Sequence, residues 1–364
     1  YMSKSLRVLQ IIDTLNAGGA ERMAVQIANG LVDKTGFSGL CCTREEGVLK
    51  DSISEGVSLL SLNRKYKFDI PSLKTALRYC KENKVQILHA HGMSFFFAMQ
   101  LKAFYTHLKI IWHDHNGQRV NHNKKQHLIL KLCSFKFSQI LCVNETLSTW
   151  SKINLNCKRV TYLPNFVQLQ ENTRQELNLK GEDDKRIVCV ANLRPPKNHI
   201  FLLKSFAKTN LAKTGWSLHL IGAVYEDEYF AEIQKYIELN NLKNSVFILG
   251  MQTNINSQLK HYDIGVLSSK DEGLPMVILE YGLAGLAVLS TRVGQIPKVI
   301  LNYGKVAEVD CIQNFSEQLT LLASDKESRI QLGKSLQKHI IKNYSGSYIM
   351  PRLINLYTKA ISNH

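Results

Sequence analysis

Glu272 and Glu280 stand eight positions apart within the stretch Asp263 to Ser290, DIGVLSSKDEGLPMVILEYGLAGLAVLS. Ile264 to Leu267 is a short apolar run of the kind that makes a buried strand. Ser268 to Leu274 is a polar loop containing Gly273, and Pro275-Met276 opens an apolar segment of helical length. Proline suits the first position of a helix, so the helix is expected to begin at Pro275. The free N–H groups of that first turn would point beyond the carboxyl end of the strand, where open parallel sheets hold ligands. At about 1.5 Å of rise per residue, Glu280 lies roughly 7 Å deeper along the axis than Pro275. A ligand with hydroxyls at both ends and phosphates between them fits that row, and this is the shape of a nucleotide sugar. The alternative is that both carboxylates are solvated or structural, as most are.

Three further groups of residues could do chemistry. His89-Ala90-His91-Gly92 and His113-Asp114-His115-Asn116-Gly117 each end a strand-like run, and side chains two apart on a strand share a face, so each pair can aim both rings at one site. Two H-x-H pairs with Asp114 also invite a zinc reading. No Cys spacing supports it, and no metal is expected. Gly18-Gly19 follow the first apolar strand, Leu6 to Ile12, at a turn where backbone can approach a ligand closely or simply fold tightly. They do not form G-x-G-x-x-G, so no dinucleotide site is read. Third, Asn192-Leu193-Arg194-Pro195-Pro196-Lys197-Asn198-His199 follows the run RIVCVA and places two cations before an apolar helix from Ile200.

The elements that must position these residues alternate in type along the chain. Strand patterns at Ser38 to Thr43, Val57 to Leu62, Val85 to Ala90, Gln139 to Val143 and Val160 to Leu163 are short and near-continuously apolar, as parallel strands covered on both faces should be. Helical patterns fall at Ala20 to Leu31 and after Pro71. The segment Gly117 to Lys136 reads as a polar loop and helix. Residues 167–185 are polar and mostly without apolar period, and read as a linker between domains 1–166 and 186–345. In the second half, Ser217 to Ile221 ends at Gly222 and Val246 to Leu249 at Gly250. By position these should flank a nucleotide base, with Gly250, Met251 and Gln252 offering backbone donors and acceptors. An edge strand at Lys305 to Val309 and helices at Asp227 to Asn240, Asn314 to Ala323 and Lys326 to Asn343 follow, with a last helix at Tyr348 to Ile361.

Glu-x7-Glu inside EGLPMVILE resembles the signature of the family 4 retaining glycosyltransferases, and the resemblance spans nearly the whole chain. It implies an α/β GT-B fold: two Rossmann-like parallel-sheet domains facing a central cleft, with the segment 346–364 crossing back onto the first domain. It implies that Glu272 contacts the donor sugar, Glu280 the nucleotide ribose, and Gly18 and Gly19 the donor phosphates. Gly273, Leu274, Pro275 and Met276 belong to the same donor site. The family's Gly-Arg-Leu-x-x-x-Lys-Gly grips the donor diphosphate; here Lys197 matches, Asn192 stands at the arginine position and Asn198 at the second glycine, with Arg194 two residues on. A histidine at the end of the strand KIIWHDH sits near donor sugar and acceptor in the family. His115 matches most closely, with His113, His91 and Asn116 on the acceptor side.

The chain has 364 residues, enough for two domains, and a net charge of +16. No RNA-binding aromatic motif or helix-turn-helix accompanies the charge, so nucleic acid is not expected as a partner. Lys102, Lys109, Arg119, Lys124, Lys125, Lys131 and Lys136 concentrate it in the first half, where it would serve an anionic bilayer or merely keep the surface solvated. Tyr1 precedes a natural start at Met2. No export segment or membrane span is read before Leu6. The eight scattered cysteines suit a reduced compartment, so a cytoplasmic location is expected, with attachment to the inner face of the membrane as its extension. The chain carries no Asp-x-Asp, the usual magnesium holder of sugar transferases. Transfer is therefore expected to be metal-independent, with no cofactor; the resemblance further implies retaining hexosyl transfer from a nucleotide sugar, UDP favoured on family frequency, to a saccharide or lipid-linked saccharide of lipopolysaccharide or capsule. A GT-B epimerase or phosphorylase, or a nucleotide-sugar-binding protein that has lost catalysis, are the rival readings.

Overall fold

Strands covered on both faces should be largely apolar, and the first seven runs are so apart from polar residues mostly toward their ends and Gln10 within the first. They form β1 (Arg7–Thr14), β2 (Phe37–Glu45), β3 (Ser58–Ser61), β4 (Ile87–His91), β5 (Lys109–Asp114), β6 (Phe137–Cys142) and β7 (Val160–Tyr162), joined in one parallel sheet of order β3-β2-β1-β4-β5-β6-β7. The computed structural model describes residues 5–117, 119, 127–168, 179–252 and 255–362. Lys124, Lys125 and most of the expected linker lie outside them.

The connecting helices are α1 (Gly19–Leu31), α2 (Ile70–Glu82), α3 (Phe95–Phe104), α4 (Leu128–Ser134) and α5 (Glu145–Asn154). Asp69 caps α2 by accepting from the Ser72 N–H, and Asn144 caps α5 by accepting from the Leu147 N–H. The first compact unit is Tyr1–Gln168 together with Gly346–His364. The returning segment is α13 (Gly346–Ser362), which buries Ile349, Met350, Leu353, Tyr357 and Ala360 and packs on α1.

The second unit, Leu169–Ser345, repeats the plan. Its strands are β8 (Arg186–Val190), β9 (Ser217–Ile221), β10 (Val246–Gly250), β11 (Ile264–Leu267), β12 (Ala287–Thr291) and β13 (Lys305–Ala307), all parallel in the order β10-β9-β8-β11-β12-β13. Its helices are α6 (His199–Thr209), α7 (Glu228–Leu239), α8 (Ile255–Gln258), α9 (Met276–Ala284), α10 (Ile296–Ile300), α11 (Ile312–Ser324) and α12 (Lys326–Tyr344). In each unit the strand order reverses beside the first strand, between β1 and β4 and between β8 and β11. Such switch points are where doubly wound sheets open a ligand crevice.

Helix α9 starts one residue later than the proline rule suggests. Pro275 has φ −70° and ψ 131°, so it is the cap, its carbonyl accepting from the Ile278 N–H at 3.3 Å. The last helix starts two residues earlier than expected, because Ser345 alone interrupts α12 and α13. Among the described residues no helix is long and apolar enough to cross a membrane.

Candidate functional site

At the switch point of the second unit, β8 and β11 pair only through Ile187 with Ile264 and Val188 with Gly265. Beyond that the strands part, and backbone groups in the gap need other partners. Tyr281, fully buried on α9, supplies them. Its hydroxyl accepts from the Val190 N–H at 2.7 Å and lies 3.3 Å from the carbonyls of Val188 and Val266. A side chain at Gly265 would strike the Tyr281 ring.

The two loops that leave these strand ends meet. Lys197, in the turn Pro195–Lys197, places its Nζ 2.5 Å from Glu272 Oε1, and both side chains are largely buried. The Ser269 hydroxyl donates to the same Glu272 oxygen at 2.7 Å, and the Ser268 hydroxyl donates to the Lys197 carbonyl at 2.8 Å. The Lys270 N–H donates to the Pro196 carbonyl at 3.0 Å. A third loop braces this one from behind. The Gln295 N–H donates to the Gly273 carbonyl at 3.0 Å, and the Thr291 hydroxyl donates to the Ser269 carbonyl at 2.6 Å. Gly294 has φ +52°, and a Cβ there would lie 2.1 Å from the Glu272 carbonyl oxygen. Gly273, Leu274, Pro275 and Met276 are buried at the start of α9. That helix is apolar on every side and buries Glu280 with its neighbours.

The departures from the family pattern have local explanations. Asn198 is left-handed, φ +58°, a conformation glycine adopts freely and asparagine tolerates, and its amide donates to Asp310 at 2.8 Å. Asn192 Oδ1 accepts from the Ala223 N–H at 3.1 Å, tying the loops after β8 and β9 together. Arg194 caps the turn before Lys197 and is exposed. Gly222 cannot carry a side chain, since a Cβ would lie 2.2 Å from the Ala191 carbonyl oxygen. Its N–H donates to the Gly250 carbonyl at 2.9 Å. Gly250 is left-handed with open space around it, Met251 is exposed, and the Gln252 amide donates to the Leu249 carbonyl at 2.6 Å.

In the first unit the histidine pairs do come together. His89 and His91 on β4, His113 on β5 and His115 just beyond it form a stacked cluster at the β1/β4 switch point. Burial and mutual proximity hold His89, His91 and His113 well below the usual imidazole range, and burial pushes His115 down to about 3. One ring nitrogen from each of His89, His91 and His113 lies within 4.8 Å of the others. Their ring nitrogens are engaged in hydrogen bonds with one another, with Gln10 and with Tyr357.

Asp114 is not available as a ligand, contrary to the zinc reading. Arg119 holds it in a two-pronged, buried ion pair with distances of 2.5 and 2.9 Å, and the Asn116 N–H donates to it at 3.1 Å. Arg119 therefore leaves the exposed basic set. Lys102 is likewise spent on the carbonyls of Thr106 and Leu108. Gly18 and Gly19 open α1 in ordinary extended and helical conformations. The Glu21 carboxylate folds over Gly18, within 2.1 Å of where a Cβ would stand, on the spot assigned to donor phosphates. Gln10, Ser269, Tyr281, Gly294 and Tyr357 were not among the expected site residues. Gln10 had a readable signal, a polar residue inside the strand run LRVLQII. Tyr357 had none, standing 268 positions from the histidine it meets.

Two doubly wound parallel-sheet units, with the end of the chain returned to the first, define the GT-B class. The structure of HepE from Anabaena in complex with UDP and glucose matches with a TM-score of 0.80 at 14% identity, over 97% of this chain and 100% of that one. Residues 17–171 match the family described as Glycosyltransferase Family 4, and residues 170–339 match Glycosyl transferases group 1. The chain belongs to the family 4 glycosyltransferases. It is 22% identical to the UDP-Gal:alpha-D-GlcNAc-diphosphoundecaprenol alpha-1,3-galactosyltransferase of Escherichia coli over 95% of each chain. To the O-antigen biosynthesis glycosyltransferase WbnH of Escherichia coli it is 25% identical, over 93% of this chain and 96% of that one.

Proposed function

We propose that the chain transfers a hexose from a UDP-sugar, with retention and without a metal ion, to a hydroxyl of a saccharide carried on a lipid diphosphate, in the synthesis of a surface polysaccharide. The observation that carries this is the Lys197–Glu272 pair, set by both loops at the β8/β11 switch point beside the buried helix that bears Glu280. Lys197, with Arg194 and the N–H groups opening α9, supplies fixed positive charge where the diphosphate gains negative charge, the task for which preorganised dipoles and cations are most effective. Glu272 takes hydroxyls of the transferred sugar and Glu280 those of the ribose. The bond from the anomeric carbon to the phosphate oxygen breaks with its electron pair going to the phosphate. The acceptor oxygen attacks the same face and the departing phosphate takes its proton, so no carboxylate pair across the bond is needed. The relative named for UDP-Gal and a diphosphoundecaprenol acceptor supports the donor and acceptor classes.

Exposed Leu128, Ile129 and Leu132 on α4, with Phe135, Lys131 and Lys136 beside them, support an anionic membrane face for such an acceptor. Each lysine near such a surface would add on the order of 1 kcal/mol. Vesicles containing phosphatidylglycerol should sediment the chain and phosphatidylcholine vesicles should not.

A thermal-shift screen of nucleotide sugars, followed by transfer to lipid-linked saccharide with the best donor, tests the reading. Full turnover in excess EDTA and an α product by NMR are expected; a strict divalent-ion requirement or a β linkage would refute those parts. Glu272→Ala should lose mainly turnover and Glu280→Ala mainly donor affinity. Asn192 at the family's arginine position favours one rival, a donor-binding protein without catalysis. Donor binding with no transfer to any membrane extract would decide for it.

A further inference from the structure

Asn198 stands at the start of α6, where an asparagine side chain ordinarily accepts from the first N–H groups of its helix. This one does not. Its backbone is left-handed, φ +58°, and its amide turns away to donate to Asp310 Oδ1 at 2.8 Å. Tyr229 on α7 does the capping instead, its hydroxyl accepting from the His199 N–H at 2.7 Å. The amide is thereby released for a second task, and its partner lies 112 positions further along the chain.

Asp310 is a firm point to hold on to. It lies two residues ahead of α11 and is itself left-handed, φ +56°. Helix α11 packs directly on α6: the Phe201 and Phe315 rings meet edge-on at 5.3 Å, and the Ser316 hydroxyl donates to the Ser205 carbonyl at 2.9 Å. The other carboxylate oxygen, Oδ2, is 3.1 Å from Lys270 Nζ, which belongs to the loop that carries Glu272. That second leg joins two half-exposed groups, and ion pairs of that kind contribute little by themselves. The Asn198 leg has one partner buried, and the Asn198 amide is the first cause holding the Asp310 carboxyl below its usual range.

We infer that Asp310 is a positioning residue for Lys197, acting through Asn198. Lys197 and Asn198 share a peptide bond, so a side chain pinned at 198 fixes the direction in which the lysine leaves the turn Pro195–Lys197. The loop after β11 holds the same turn by its carbonyls, Ser268 bonding that of Lys197 and the Lys270 N–H that of Pro196. Asp310 holds it from the other side, by a side chain. The glycine of the family pattern would adopt the same left-handed backbone but carries no amide to pin. A cation that stabilises a departing diphosphate acts best when it is already in place, and a misplacement of about 1 Å costs roughly 100-fold in rate. The consequence for rate rests on the role proposed for Lys197 at the donor diphosphate; the bond between Asn198 and Asp310 does not.

The test is a double-mutant cycle on the full chain, read as kcat and as crystal structures of the wild type and each folded variant. Asn198→Gly and Asp310→Gly both keep the left-handed backbone and remove one end of the bond. Each should lower kcat about 10- to 100-fold, and the double variant should fall no further than the lower single, as members of one interaction do. Asn198→Asp sets two carboxylates face to face and should fall at least as far. Asn198→Asp combined with Asp310→Asn rebuilds the bond with donor and acceptor exchanged, and should recover most of the loss. The readout is kcat rather than KM, because a carboxylate placed beside Lys197 weakens diphosphate binding by itself. In the structures Lys197 Nζ should stand within hydrogen-bond distance of Glu272 in the wild type and the exchanged pair, and leave it in both glycine variants. Lys270→Ala, which cuts the weaker leg, should lose less than Asp310→Gly. Additive losses, an exchanged pair no better than Asn198→Asp, an unmoved Lys197 in the glycine variants, or Lys270→Ala losing as much as Asp310→Gly would each overturn the proposal. A lower urea midpoint with kcat intact would overturn it too, leaving the bond a merely structural one. Should a glycine variant not fold, the exchanged pair decides. A wild type without turnover on any donor would refute the proposed function alone, since the structures still decide the positioning.

Discussion

Gly294→Ala should disable the site without touching a residue in it. Gly294 has φ +52°, and its missing Cβ would stand 2.1 Å from the Glu272 carbonyl oxygen and 2.5 Å from that of Gly273, where real contacts are not closer than 3.0 Å. The loop segment bearing Glu272 must therefore retreat by about 1 Å from the loop after β12, carrying the Glu272 carboxylate off its present position. A displacement of about 1 Å at a reacting centre costs roughly 100-fold in rate, about 2.7 kcal/mol of barrier. The left-handed backbone adds about 1–2 kcal/mol of lost stability for any side chain. Gly285→Ala isolates that second effect. Gly285 caps the end of α9 at φ +81°, but its nearest neighbour to an added Cβ is 3.6 Å away, so the variant carries the strain without the push. The assay is turnover with the donor chosen by thermal shift, beside urea unfolding of both variants. Both should lose about 1–2 kcal/mol to strain, and only Gly294→Ala should lose turnover on the 100-fold scale. Equal turnover in the two folded variants would refute the claim that the loop after β12 sets the position of Glu272.

Lys197→Met should lower kcat by about 100- to 1,000-fold, the usual cost of removing a group that stabilises developing negative charge; a variant altered only in KM would show that the lysine binds without assisting departure. Tyr281→Phe leaves the Val190 N–H without its 2.7 Å acceptor and should cost about 1–3 kcal/mol, read as a fall in the urea midpoint; an unchanged midpoint would mean the β8/β11 gap closes by itself. Acid should destabilise the native chain early. His89, His91, His113 and His115 are held below their ordinary value near 6.5, so below that pH the unfolded chain binds protons the native one refuses. Stability is fully present above pH 6.5 or so and falls with decreasing pH by about 1.4 kcal/mol per unit for each such ring, continuing for His115 until its native value of about 3. Melting temperatures that stay flat from pH 7.5 to about pH 5 would contradict the neutral cluster.

The sheet plan was legible because each buried parallel strand leaves a short apolar run, and the observed strands keep their expected places with ends shifted by at most two or three residues. The strand-loop-helix around Glu272 was legible for the same reason, with Gly273 and Pro275 as punctuation. What escaped depends on contacts that no local pattern records. Helix α3, FFFAMQLKAF, is apolar nearly all round and so shows no helical stripe, while α5 is marked only by its Asn144 cap. Arg119 reads as surface charge until the pair with Asp114, five residues earlier, withdraws it from solvent. The Gly18-Gly19 turn suggests an open anion site, but Glu21 supplies its own carboxylate to the same helix start.

Each unit by itself closes its switch point with a buried tyrosine, but the two closures differ in kind. Where neighbouring strands send their connections to opposite faces of a sheet, their carboxyl ends part and polar groups lose ladder partners. In the second unit β8 and β11 share only two residue pairs, and the Tyr281 hydroxyl bonds backbone on both sides of the gap. The Val190 N–H can only donate, so the Tyr281 oxygen accepts there and its single hydrogen goes to the carbonyl of Val188 or of Val266. In the first unit β1 and β4 stay paired over four residues, with Gln10 opposite His89, so the backbone is already satisfied and the side chains of those strands face the gap. Side chains there need polar partners of their own: Gln10 on β1 meets His91 and His113 on β5 meets His89, and the other nitrogen of His89 takes its partner from outside the sheet. Tyr357 arrives from α13, beyond the whole second unit in sequence. The returning helix thus does more than cover α1 with apolar surface: it brings the hydroxyl that meets both His89 and Gln10, and so ties the last helix to the polar side chains of β4 and β1.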